Sequence, residues 1–171
     1  MAAGRDPRQD AGHDRRPAPP HRRRPRMRPP PGLRADYRWF HALGTRWMDN
    51  DIYAHMNNVI HYSLFDTLVA RFLLAHGVLD LKASRHVGLV VETGCRYHAP
   101  LAFPDEVTGG LRVRRLGTTS ITYELALFRN AEERAAAEGH FTHVYVDRAE
   151  QSRTVPLPEA LRRAGEAHLA P

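Results

Sequence analysis

The chain has one cysteine, Cys95, in 171 residues, which excludes an intrachain disulfide and suits a reducing compartment. No stretch is long and apolar enough to span a bilayer, and the start carries no apolar segment of the secretory kind. A cytoplasmic location without a membrane span is therefore the expectation. No internal repeat is visible. Residues 1–34 lack aromatic side chains and almost all bulky apolar ones. They hold ten arginines, three aspartates and eight of the thirteen prolines. Such a segment cannot bury enough surface to offset the entropy of ordering it, so it reads as a disordered tail. It also carries the basic balance: the whole chain is +6, the tail alone +7, and residues 35–171 come to −1. Weak, salt-sensitive attraction to polyanions is the most it offers. With nothing to stack on bases, no specific nucleic-acid binding is expected. The proline density also opposes the amphipathic helix of a transit peptide.

What remains, residues 35–171, reads as one α+β domain. The aromatic-rich "DYRWFHALGTRW" has no helical period and points to a first strand over 37–47. "NNVIHYSLFDTLVARFLLAHG" is a helix of about twenty residues, with Asn57 or Asn58 suited to cap its start and a glycine at its end. Its surface is apolar nearly all round, leaving a polar stripe of Ser63, Asp66, Thr67 and Arg71. A helix of that kind has to be covered on most sides. Four strands follow, over 87–100, 105–116, 119–130 and 133–148, with turns at Pro100, Pro104, Gly117 and Asn130. Residues 156–168 form a short terminal helix. Short connections predict that the last four strands are consecutive neighbours, an antiparallel meander of about five strands in all, curved around the helix. Its open edges call for a second copy of the chain.

Between the first strand and the helix lies "MDNDIYAHMNN", with Asp49, Asp51, His55, Asn57 and Asn58 in ten positions. Turn formation and helix capping explain part of this on local grounds. The helix terminus also offers free N–H groups and partial positive charge, where a carbonyl oxygen gaining charge would be stabilised. A carboxylate there can attack an acyl carbon or draw a proton from water. A calcium loop is excluded, since Ala54 and Ile60 stand where glycine and the last acid are needed. The remaining histidines show no metal-ligand spacing, so no metal is expected.

The stretch "MDNDIYAHMNNVIHYSLFD" resembles the signature of hotdog-fold acyl-CoA thioesterases of the 4-hydroxybenzoyl-CoA thioesterase superfamily. The resemblance covers roughly residues 36–155 and is specific at 46–66. It implies a hotdog fold, a central helix wrapped by a curved antiparallel sheet, with protomers joined through their sheets as a homodimer or homotetramer. It implies hydrolysis of an acyl-CoA substrate to carboxylic acid and coenzyme A, with no cofactor beyond the coenzyme A of the substrate. Carried over by position, Asp51 is the catalytic carboxylate, as nucleophile or general base, and His55 positions it, the substrate or the water. Asn57 and Asn58 shape the helix start, with Tyr53 beside them where some relatives have asparagine. Asp49 braces the loop. Glu92 is a second polar group for the cleft. Arg114, Arg115 and Ser120, around the "LGTTS" turn, suit the phosphates of coenzyme A. A non-catalytic acyl-CoA-binding module and a hydratase or dehydratase are the competing readings, since a fold does not guarantee a chemistry.

Overall fold

The computed structural model describes residues 29–171; the tail reading for residues 1–28 lies outside the described residues. The elements are β1 (Trp39–Leu43), α1 (Asn58–Ala75), β2 (His86–Tyr97), β3 (Val107–Leu116), β4 (Ser120–Arg129), β5 (Ala137–Asp147) and α2 (Glu159–Ala167). All but the ends of the expected elements agree with this. The packing begins slightly before the expected boundary at residue 35. The Arg34 N–H donates to the Glu133 carbonyl, and the Gly32 carbonyl accepts from the Ala135 N–H.

α1 starts where its sequence allows. Asn57 is the cap, and its Oδ1 accepts from the Val59 N–H at 3.2 Å. The helix ends at Gly77, whose φ of 65° lets the chain reverse while the Gly77 and Val78 amides close on Leu74 and Leu73. Leu64, Phe65, Leu68, Val69, Phe72 and Leu73 face the sheet, and Ser63, Asp66, Thr67 and Arg71 are exposed. The spacing is that of one helical face. Two glycines on the inner face of the sheet let the helix seat closely. A Cβ on Gly109 would fall 2.7 Å from Leu68, and one on Gly139 would fall 2.7 Å from Phe65.

The sheet is antiparallel throughout, in the order β1-β3-β4-β5-β2. This corrects the meander: β2 pairs with β5, not with β3. The nine-residue segment 98–106 between β2 and β3 contains two prolines and is no hairpin turn. Extended, nine residues reach up to roughly 30 Å. Three strand spacings need only about 14 Å. The segment therefore carries the chain across the end of the sheet, and β2 becomes an edge strand. Twelve residues long, β2 is largely exposed and includes Leu89, Val90 and Val91.

One polar side chain lies under α1 among apolar ones. His143 on β5 is 5% exposed, and neither ring nitrogen has a partner among the described residues. Burial pulls its imidazole down from 6.5 to about 4. The unfolded chain thus binds a proton near pH 6.5 that the folded chain refuses until about pH 4. Stability from this group is complete above pH 6.5 and lost as the pH falls through that window, by up to about 3 kcal/mol. Urea midpoints measured from pH 7 to 4 should show this fall, and His143→Leu should flatten it.

Candidate active site

The loop entering α1 is built by its own short polar side chains. Asp49 is 2% exposed; its carboxylate accepts the Arg46 N–H at 2.7 Å and the Arg46 guanidinium at 2.8 and 3.0 Å. Its carbonyl accepts from the Asn57 N–H at 2.8 Å, so the brace reaches the helix cap itself. The crossing segment closes the other side: Met56 N–H donates to the Leu101 carbonyl, and Asn50 Oδ1 accepts from the Phe103 N–H.

Asp51 sits inside this frame, partly exposed. Its Oδ1 accepts from the amides of Tyr53 at 2.8 Å and His55 at 3.3 Å, while its own N–H donates to the His55 carbonyl at 2.8 Å. Oδ2 has no partner among the described residues. The turn requires Ala54 at φ 59°, the left-handed region where glycine is the relaxed choice. Asn57 caps α1 through its side chain, and the Asn58 amide is left without a partner among the described residues. The Tyr53 ring is 74% exposed.

A cleft of about 310 Å³ opens beside the loop, lined by His55, Met56, His61, Tyr97, His98 and Leu101 among others. Asp51 is not one of its walls. His61 is one of the histidines that show no metal-ligand spacing in the sequence. It is buried one helical turn past the cap, with Nδ1 3.3 Å from the Asn57 carbonyl and its ring edge-on to Tyr97 at 5.0 Å. Burial lowers its pKa, offset in part by that carbonyl. A backbone acceptor at Nδ1 fixes the neutral ring with its lone pair on Nε2. The four-residue spacing from Asn57 was the available signal for His61. For His98 the signal was its alternation with Glu92, Gly94 and Arg96 on one strand face, while its partner Glu138 is 40 residues away.

The other expected site residues lie elsewhere. Glu92 is in the middle of β2 and exposed, 3.5 Å from His140. Arg114 faces the same side as Arg112 and Glu124, in a polar cleft of about 350 Å³ that also includes Gly94, Arg96 and His140. Arg115 and Ser120 occupy the end of β3 and the start of β4. The Asp51 loop is tied to the opposite end, since Thr45 bonds the Asp105 carbonyl just before β3. The eight strand steps from Val107 to Arg115 span roughly 26 Å. Within one protomer, Arg114, Arg115 and Ser120 do not join Asp51. Cys95 is half-buried, and burial pushes its thiol up, which disfavours the thiolate a nucleophile needs. Among the described residues no cluster of His, Cys, Asp or Glu is placed to hold a metal, and no helix is long and apolar enough to cross a membrane.

The comparisons agree with this geometry. Residues 45–165 match the thioesterase-like superfamily. Among curated proteins, none matches the chain. Among solved structures, the chain is similar to the PA5185 protein of Pseudomonas aeruginosa, at 47% identity and a TM-score of 0.80, covering 82% of this chain and 98% of that one. It is similar to PA2801, a putative thioesterase of the same organism, at 29% identity and a TM-score of 0.67, covering 73% and 95%. A Thermus thermophilus thioesterase complexed with coenzyme A and zinc is 27% identical with a TM-score of 0.63, covering 77% and 95%. With the match extending from the braced loop through α2, and a five-stranded antiparallel sheet against one long helix in the hotdog arrangement, the chain belongs to the thioesterase-like superfamily.

Proposed function

We propose that the protein is an acyl-CoA thioesterase, with Asp51 supplying the carboxylate that attacks the thioester or activates water. The observation that carries this is the partly exposed Asp51, held by two loop amides beside a cleft at the N-terminus of α1. One carboxylate oxygen is oriented and the other is free to act. The Asn58 amide and the partial positive charge of the helix end suit the oxygen that becomes negative in the tetrahedral state. The complex of the Thermus thermophilus relative with coenzyme A supports the substrate class.

The functional unit is a homodimer joined through β2. That strand offers an unpaired edge with exposed apolar side chains, and the loop adds Trp47, Ile52 and Tyr53, all at least 74% exposed. Two copies of one edge strand pair about a twofold axis only antiparallel. Pairing about the middle of β2 sets the Tyr97 end of one strand beside the His86 end of the other. The cleft of one protomer then borders its partner, and the partner's sheet is the source of contacts that Arg114, Arg115 and Ser120 cannot make within their own chain.

Two outcomes follow. The purified protein should release free thiol from members of a panel of short, long, branched and aromatic acyl-CoA esters. Asp51→Asn should lower kcat by about 10²-fold or more with the circular-dichroism spectrum unchanged. Thermal stabilisation by CoA esters without turnover would instead make this an acyl-CoA-binding module. Sedimentation should give a dimer, and Val91→Glu, which sets like charges near the twofold, should shift it to monomer and reduce turnover. A fully active monomer would rule out the shared cleft.

A further inference from the structure

One wall of the cleft beside Asp51 holds the histidine of a His–Glu pair from outside the loop, while the pair's carboxylate, Glu138, lines the polar cleft of Arg112 and Arg114. His98, just past β2, lines the cleft, and its side chain is 10% exposed. Its Nε2 lies 2.8 Å from Glu138 Oε2. Glu138, on β5, is itself held by two further donors from the segment preceding β1. The Tyr37 hydroxyl donates to Oε1 at 2.9 Å, and the Gly32 N–H donates to Oε2 at 3.2 Å. Tyr37 is buried, and burial together with the Glu138 charge raises its pKa well above the ordinary value, so the phenol remains a donor. The Arg112 guanidinium covers the Tyr37 ring at 5.2 Å and is anchored by Glu124 and the Asp36 carbonyl.

This arrangement dictates the state of the imidazole. An ionised carboxylate only accepts, so His98 Nε2 carries the hydrogen and the neutral ring presents its lone pair on Nδ1. Nδ1 has no protein partner among the described residues, and it is not among the enclosed unpartnered atoms, unlike both nitrogens of His143. A tether between the end of β2 and β5 does not account for the pair. That connection is already made by the backbone, where the amides of His98 and Ala99 both donate to the Ala136 carbonyl at 2.8 and 3.0 Å. What the Tyr37–Glu138–His98 chain adds is a fixed ring at the wall of the cleft, with one nitrogen left unpartnered.

We propose that His98 is the proton carrier of the hydrolysis and Glu138 its positioning residue, an inference that rests on the thioesterase reading. Where water attacks directly, Asp51 orients it by accepting one hydrogen bond, and Nδ1 accepts its other proton as the new C–O bond forms. The C–S bond breaks with its electron pair on sulfur, and the imidazolium passes the proton to sulfur, giving acid and thiol. Where Asp51 attacks first, the C–S bond breaks with its electron pair on sulfur, and coenzyme A departs as the thiolate, which takes its proton from solvent. The neutral ring then takes a proton from the water that splits the acyl–aspartate.

Steady-state kinetics on the full chain with the best acyl-CoA of the panel test this. In His98→Gln the amide still donates to Glu138 but has no basic nitrogen, so the tether survives and the proton carrier does not. The expected result is a fall in kcat of about 10²-fold or more, with KM little changed and an unaltered melting temperature. His98→Ala should fall similarly and recover in part with added imidazole. Glu138→Gln should lower kcat with KM preserved. Wild-type kcat in His98→Gln, or loss in His98→Ala that imidazole does not restore, would overturn the role of His98 alone. A wild-type protein that hydrolyses no thioester would overturn both readings.

Discussion

A helix bearing Leu64, Phe65, Leu68, Val69, Phe72 and Leu73 on one face cannot stand in water, and the chain has only one sheet with which to cover it. Each of these side chains is worth about 1.5–3 kcal/mol when fully buried. The sheet bends to that demand. Gly109 and Gly139 remove the side chains that would hold Leu68 and Phe65 off it, and β3, β4 and β5 supply the floor on which they rest. Because the helix lies on the sheet, its N-terminus is carried to one end of the strands. There the loop from β1 and the segment crossing from β2 to β3 must meet. The cleft is a consequence of that meeting.

The same constraint explains why the loop is so rich in short polar side chains. Its backbone runs between a strand end, a helix start and a crossing chain, and few of its amides can join a regular ladder. Asp49, Asn50, Asp51 and Asn57 supply the missing acceptors: each has a side-chain oxygen on a backbone N–H of the loop, the helix or the crossing segment. Local capping and chemistry are therefore not rival explanations of this stretch. The loop is rigid because three of the four acceptors are committed to holding it. Asp51 alone combines one oxygen in the turn with one free, and rigidity gives that free oxygen a defined direction.

What was legible in the sequence was local. The cap at Asn57, the stop at Gly77, the exposed stripe of α1 and the left-handed corner at Asn130 depend on neighbours within a few residues. The bonds of Asp49 to Arg46 and to the helix cap span no more than eight residues, so its bracing role could be read as well. The place of β2 could not, because nothing in "HAPLAFPDE" states which strand it leads to. That choice is made by the end of the sheet it crosses and by Met56 and Asn50, some fifty residues earlier. Arg114, Arg115 and Ser120 lie together around the Gly117 turn, as a local reading sets them, and a strand's length separates them from Asp51 within one protomer.

The histidines show the limit most directly. In the sequence His61 is a single histidine without ligand spacing, and His98 shares a strand face with Glu92. Folding gives them different chemistry through the acceptors at their rings. His61 meets a helix carbonyl, a neutral oxygen that orders its tautomer while burial keeps it uncharged. His98 meets a carboxylate 40 residues further along the chain, which is in turn fixed by a phenol 101 residues before it. A carbonyl can orient a ring; a carboxylate can also stabilise the charge that the ring gains when it takes a proton. Of the two, only His98 has a carboxylate at its ring, and this difference is set by which long-range partner the sheet places beside it.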